Sequence, residues 1–279
     1  MTASVSLIDA VNRAIEADNV PLPVFSAAAS RIQQELAKEE PDIRIIEKII
    51  TADQALSTQV LKIANSSFYR GLAEVSTVRS AVMRLGMPEV EKIVLLASSQ
   101  QHFKSKDKVL QQVMKKLWQH SVGCAYGSVW LSKRYAYGVD SGQAFFAGLF
   151  HDVGKLFILM VIEQIKRTNR EVKITDALLL EAMARLHARE GGKLLAQWNM
   201  PDHFCVIARE HHADEIDSKN VLLLVVRMAN LVCHKLGIGL VHNASLLLPA
   251  TLEATLLNLN EIDLAELEIV LEDTKILSG

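Results

Sequence analysis

The sequence predicts an all-α protein, and three observations carry that expectation. Helix breakers are scarce, with 13 glycines and 6 prolines among 279 residues. Half of the chain is hydrophobic but only 5% is aromatic, so the apolar weight lies in Ala, Leu, Ile and Val. Apolar residues recur at helical spacing, and no run alternates apolar and polar positions between hairpin turns. Helices of this kind bury one face each against a neighbour, so two packed helical bundles are expected.

The elements follow in order. Leu7, Ile8, Val11, Ala14 and Ile15 share one face of a first helix. Val20-Pro21-Leu22-Pro23 interrupts it, because a proline pushes its predecessor out of the helical region. A second helix is expected over Val24 to Lys38, and a short stripe of Ile43, Ile46 and Ile50 follows Pro41-Asp42. Asp53 is the expected N-cap of the next helix, and Asn65-Ser66-Ser67 its end, with Asn65 in the left-handed cap position. Ser76 is expected to cap a short helix ending at Gly86, and Pro88 fits the first turn of a helix running to Gln100.

The polar, basic stretch Phe103–Lys108 marks a boundary near one third of the chain. A helix of about 25 residues is expected beyond it, over Val109–Ala136. Asp140 or Ser141 caps another through Phe145, Phe146 and Leu149. Further helical patterns cover Ala177–Arg185, His187–Trp198, Asp202–His212, Asn220–Leu236 and Leu264–Ile276. The expected division is therefore 1–105 and 106–279.

Composition excludes several function classes. Thirty Lys and Arg against 32 Asp and Glu leave a net charge of −2, which argues against binding nucleic acid by bulk charge. The basic cluster Lys104, Lys106, Lys108, Lys115 and Lys116 has no aromatic stacking platform beside it and fits a solvated linker. Val221–Val226 and Leu156–Ile162 are far shorter than the ~18–20 residues of a membrane span. The start has no basic segment before an apolar run, so no signal peptide is expected. Cys124, Cys205 and Cys233 are too scattered for a disulfide framework and fit reduced core positions of a cytoplasmic protein. Gly191-Gly192-Lys193 lacks the spacing of a phosphate loop and fits close helix packing.

The chemistry-bearing segment is Gly148-Leu149-Phe150-His151-Asp152-Val153-Gly154-Lys155. A His-Asp pair inside an apolar run needs a partner, because burying such groups alone costs several kcal/mol. On one helix, His151, Asp152 and Lys155 would share a side. Two readings stay open: a divalent metal held by imidazole and carboxylate, or an Asp152–Lys155 ion pair beside a hydrogen-bonded His151. His120, His187, His211 and His212 lie on other expected helices. With His151 and Asp152 they make six candidate ligands, the way metal sites are built inside helix bundles.

These motifs resemble the HDOD family, the HD-related output domain of bacterial signalling proteins. LWQHS, FFAGLFHDVGKL, LHAREGGKLLAQWNMP, AREHHADE and RMANLVCHKLGIG resemble the HD metal-dependent phosphohydrolase superfamily. VPLPVFSAAASRI, IITADQALSTQVLKIANSSFY and STVRSAVMRLGMPEVEKIV resemble the segment that sets HDOD apart from plain HD domains. Together they cover about residues 19–240. The resemblance implies an HD-like second part and a signalling role.

It also exposes two departures. Where active HD phosphohydrolases place an Asp on the last helix of the site, this chain matches with Asn230. Where relatives with two metals carry a Glu one turn before the first histidine, it has Lys116. An ammonium directed at the site would repel a cation and could pair with Asp152 instead. The expectation is thus a regulatory, non-catalytic domain with no required cofactor. It would act through signalling proteins, or through a small phosphorylated ligand at Lys155, Lys116 and Asn230. The alternative is a phosphohydrolase with a divalent metal on His120, His151, Asp152, His187, His211 or His212, and Lys155 near the phosphate. Metal-activated water is the nucleophile that this alternative requires.

Overall fold

Side-chain caps set most helix starts in the computed structural model, which describes residues 6–17, 27–36, 38, 40–69, 74–134, 137–168 and 174–277. Among these residues every regular element is helical. The Val20–Pro23 breaker and the start of the second expected helix lie outside the described residues. Helix α1 (Leu7–Glu16) begins where the Ser6 hydroxyl accepts from the Asp9 N–H, and it buries Leu7 and Val11.

The chain divides into two compact units. The smaller holds residues 24–102 and 272–279. It contains α2 (Ala27–Leu36), α3 (Ile43–Thr51), α4 (Gln54–Ala64), α5 (Val78–Leu85) and α6 (Met87–Gln100). Asp42 and Asp53 cap α3 and α4 by accepting from the N–H groups of Arg44 and Leu56. Ile46, Ile50, Val60, Ala81 and Ile93 are fully enclosed.

Two expectations for this unit are corrected. Asn65 ends α4 at φ −97°, not in the left-handed region. Its side-chain amide instead bridges the backbone of Val75, donating to the carbonyl at 2.8 Å and accepting from the N–H at 2.9 Å. The cap of α5 is Thr77, not Ser76. Thr77 Oγ1 accepts from the Ser80 N–H while Ser80 Oγ accepts from the Thr77 N–H, a reciprocal capping box. Thr77→Ala should lower unfolding stability by about 1 kcal/mol. An unchanged denaturation midpoint would show that the box contributes nothing.

The larger unit holds residues 1–23 and 103–271. Its longest helix is α7 (Lys108–Arg134), followed by α8 (Ser141–Phe150), α9 (Val153–Thr168), α10 (Asp176–Gln197), α11 (Asp202–Glu210), α12 (Val221–Lys235), α13 (Leu252–Leu256) and α14 (Glu261–Asp273). The division expected at residues 105 and 106 puts α1 with the front helices. In the structure α1 packs on α9 and α10. The two patterns expected over 177–198 are one continuous helix, because no breaker separates them and buried Leu186 and His187 continue a single face.

Small residues let the backbones of this unit meet. A Cβ at Gly148 would stand 2.5 Å from the carbonyl oxygen of Cys124, so α8 lies backbone to backbone on α7. A Cβ at Gly154 would stand 2.0 Å from the carbonyl oxygen of His187, so α9 crosses α10 equally closely. Leu131, Val225, Met228, Val232, Leu257, Leu264, Leu267 and Leu271 form a core among α7, α12, α13 and α14. Each such side chain stabilises the packed state by roughly 1.5–3 kcal/mol. Arg134 ties α7 to α14 through Asp263 at 2.8 Å and Glu266 at 3.1 Å. The run Ser141–Thr168 is long and apolar enough to cross a membrane by length and composition alone, and the turn at His151 and Asp152 divides it into two helices. However, 89% of its most apolar stretch is buried inside the protein.

Candidate metal centre

The His-Asp pair sits at a break between two helices. Helix α8 ends at Phe150, His151 and Asp152 form a turn, and α9 starts at Val153. Both side chains are almost completely buried. Four imidazoles converge on Asp152 from separate elements: His120 on α7, His151 at the turn, His187 on α10 and His211 just after α11.

Each ring is held from behind by a backbone carbonyl. Nδ1 of His120 lies 3.1 Å from the Ile238 oxygen, and that of His151 lies 2.7 Å from the Gly148 oxygen. Nδ1 of His187 lies 2.8 Å from the Met183 oxygen, and that of His211 lies 3.0 Å from the Ala208 oxygen. A carbonyl only accepts, so each Nδ1 carries the proton and donates. In the neutral rings every Nε2 lone pair then faces inward, the orientation of metal-ligating histidines.

The inward atoms form two groups on one carboxylate. His120 Nε2, His151 Nε2 and Asp152 Oδ2 lie 3.3–3.5 Å apart. His187 Nε2, His211 Nε2 and Asp152 Oδ1 have the same spacings. Ligand bonds of ~2.0–2.1 Å in a tetrahedral shell put neighbouring N and O atoms ~3.4 Å apart. Asp152 Oδ1 accepts no hydrogen bond despite its burial, and His187 Nε2 and His211 Nε2 stand 3.3 Å apart beside it. The donor set therefore fits a cation.

Electrostatics divide the rings: burial opposes a charge on His120, yet Cys124 and Asp152 raise its imidazole to about 10. Burial holds the His151 imidazole well below its ordinary value and lowers that of His187 to about 4, although Asp152 opposes both. Burial favours the neutral acid at Asp152, but the Lys155 ammonium and the surrounding imidazoles hold its carboxyl well below the usual range. Lys155 Nζ lies 2.6 Å from Oδ2.

The remaining expected residues divide. His212 is exposed, but a ring nitrogen of it lies within 4.8 Å of the ligand atoms of Asp152, His187 and His211, so it joins that group from its rim. Asn230 is buried on α12, and its Oδ1 has no hydrogen-bond partner. Lys116 is exposed one turn before His120, so the ammonium at Asp152 is that of Lys155. An exposed α7 position keeps the Lys116 charge hydrated, whereas Lys155 reaches Asp152 within the first turn of α9.

Sequence reasoning missed two supports. Arg227 on α12 donates to the carbonyls of His211 and Ala213 at 3.0 and 2.9 Å and pairs with Glu253 at 2.8 Å. It thereby satisfies carbonyls at the end of α11 and fixes the His211 backbone. Breaking such a buried pair typically costs 3–5 kcal/mol. Arg227→Ala should cost about 3 kcal/mol and loosen the His211 backbone together. Wild-type unfolding would contradict this. The second support is Cys124, one turn after His120, whose Sγ lies 3.5 Å from His120 Nε2. Its helical spacing from His120 was the available signal.

Comparison with known proteins places the fold. The HDOD domain pattern matches residues 22–214. A structure of an HDOD domain protein of unknown function from Geobacter sulfurreducens aligns with a TM-score of 0.76 at 21% identity, covering 96% of this chain and 97% of that one. A Shewanella amazonensis protein provisionally named a metal-dependent phosphohydrolase aligns with a TM-score of 0.74 at 19% identity, covering 98% of both chains. At these identities the likeness is one of fold. An uncharacterized protein of Treponema pallidum is 25% identical over 198 residues, 68% of this chain and 37% of that protein. This chain therefore spans about a third of that relative's length.

Proposed function

Because the chain belongs to the HDOD family, we propose that it is a regulatory output module of signal transduction whose HD-like pocket binds rather than hydrolyses. One observation carries this reading. Asp152 is the single carboxylate in the His-rich groups among the described residues, and Lys155 already neutralises it at 2.6 Å. Two divalent cations would bring four positive charges to a pocket with one negative and one further positive charge. That repulsion in a buried setting opposes a dinuclear hydrolytic centre. One cation on part of the set, or a small phosphorylated ligand at Lys155, is electrostatically tolerable. Signalling proteins are the expected partners.

A second reading has its own support, since two ligand groups share Asp152. His120 and His151 would hold one divalent cation, and His187 and His211 another. A cation so placed supplies Lewis-acid polarisation and an activated water for phosphoester hydrolysis. In that case Asp152 orients both groups, the four backbone carbonyls fix the imidazoles, and Lys155 receives the phosphate.

Asn230 separates the two readings. If its neutral oxygen faces the pocket, Asn230→Asp adds the missing charge, and Mn2+ binding by calorimetry should tighten at least ~10-fold, the lower end of effects from altered supporting shells. Unchanged affinity would remove the argument that the pocket is short of carboxylate at this position.

A further inference from the structure

The charge that the Asp152 pocket lacks is available beside it in another form. Cys124 on α7 and Cys233 on α12 are fully buried, with sulfurs 3.7 Å apart. Cys124 Sγ is 3.5 Å from His120 Nε2, and all three ligand atoms lie within 4.8 Å of one another. Bonds of ~2.3 Å to sulfur and ~2.0–2.1 Å to imidazole nitrogen in a tetrahedral shell imply edges of ~3.8 Å between sulfurs and ~3.6 Å between sulfur and nitrogen. The observed spacings match both. Ile238 O already fixes the His120 tautomer through Nδ1, leaving Nε2 free to ligate. His234, half-buried, stacks on the His120 ring at 5.5 Å between centroids and lies at the edge of the cluster.

We propose that Cys124, Cys233 and His120 form a Cys2His site for a thiophilic divalent cation of the zinc class. Binding forms two metal–sulfur bonds and one metal–nitrogen bond and releases two thiol protons to solvent. The two thiolates balance the cation's charge, which the Asp152 pocket with one carboxylate does not. Burial pushes the Cys124 thiol well above its ordinary value, so without a cation that sulfur is a protonated packing group. His120 has one free nitrogen, so a cation here withdraws His120 from the Asp152 group. The fourth vertex is left open, and Asn230, whose Oδ1 is unpartnered, stands one turn before Cys233. This site does not depend on whether the pocket is hydrolytic.

The test uses the reduced full chain under anaerobic conditions, with Co2+ as the spectroscopic stand-in for zinc. One equivalent should produce a thiolate-to-cobalt charge-transfer band in the near ultraviolet, lost on adding Zn2+. Cys124→Ser and Cys233→Ser should each abolish the two-thiolate spectrum, whereas Asp152→Asn should retain it. If the serine variants fail to fold, X-ray absorption on zinc-loaded wild-type protein decides alone. Two sulfurs at ~2.3 Å are expected. A shell of only nitrogen and oxygen, no bound zinc, or a band that survives the double serine substitution would overturn the proposal.

Discussion

Gly154→Ala should destabilise the chain by at least about 3 kcal/mol, at the upper end of overpacking effects. A Cβ there meets the His187 carbonyl oxygen at 2.0 Å and the Gly191 nitrogen at 2.7 Å. Both are backbone atoms, so no rotamer change relieves the clash. Helices α9 and α10 must separate, which displaces His187 from Asp152. Thermal unfolding should fall by roughly 6–12 °C, given ~2–4 °C per kcal/mol for chains near this size. Retention of the wild-type midpoint would mean that the two helices are not in backbone contact. The glycine of the HDVGK segment is thus required by packing, whatever chemistry surrounds it.

Asp152→Ala should be comparably severe for a different reason. Its removal strands the Lys155 ammonium, whose side chain is only 13% exposed, and takes away the one carboxylate that both groups of imidazoles share. Breaking a buried pair from one side typically costs 3–5 kcal/mol. Adding Lys155→Met should recover part of that loss, because the unpaired charge goes with it. Mn2+, which prefers oxygen and nitrogen to sulfur, should raise the wild-type midpoint, by up to ~2.7 kcal/mol of stability at a hundredfold excess over Kd, and leave the Asp152→Ala midpoint unmoved. A single variant as stable as wild type, or a double variant no better than the single, would contradict the assigned pair.

Much of this was legible from local chemistry. Asp53 announced its cap because a short side chain before an apolar run has one favourable use, and of the pair Asp140 and Ser141 it is Asp140 that caps α8. Ser76 and Thr77 could not be ranked, since both suit a cap and only the reciprocal bonds with Ser80 decide. Asn65 misled because its amide finds Val75, a partner ten residues away that helix-end rules do not see. The grouping of His120, His151, Asp152, His187, His211 and His212 could be anticipated from helical spacing and order. Lys116 could not be placed, because its orientation depends on which face of α7 meets the core. Cys233 was invisible for the same reason: its neighbour Cys124 is 109 residues away and meets it only through packing of α7 on α12.

The central claim is that this pocket binds without hydrolysing, and turnover tests it most directly. Purified chain loaded with Mn2+ should be offered a generic phosphodiester and cyclic dinucleotides, with metal content measured in the same sample. The account predicts bound metal of at most one ion in the Asp152 pocket and no release of product above the metal-only control. Sustained turnover by wild-type protein that disappears in Asp152→Ala would contradict it and establish the phosphohydrolase reading.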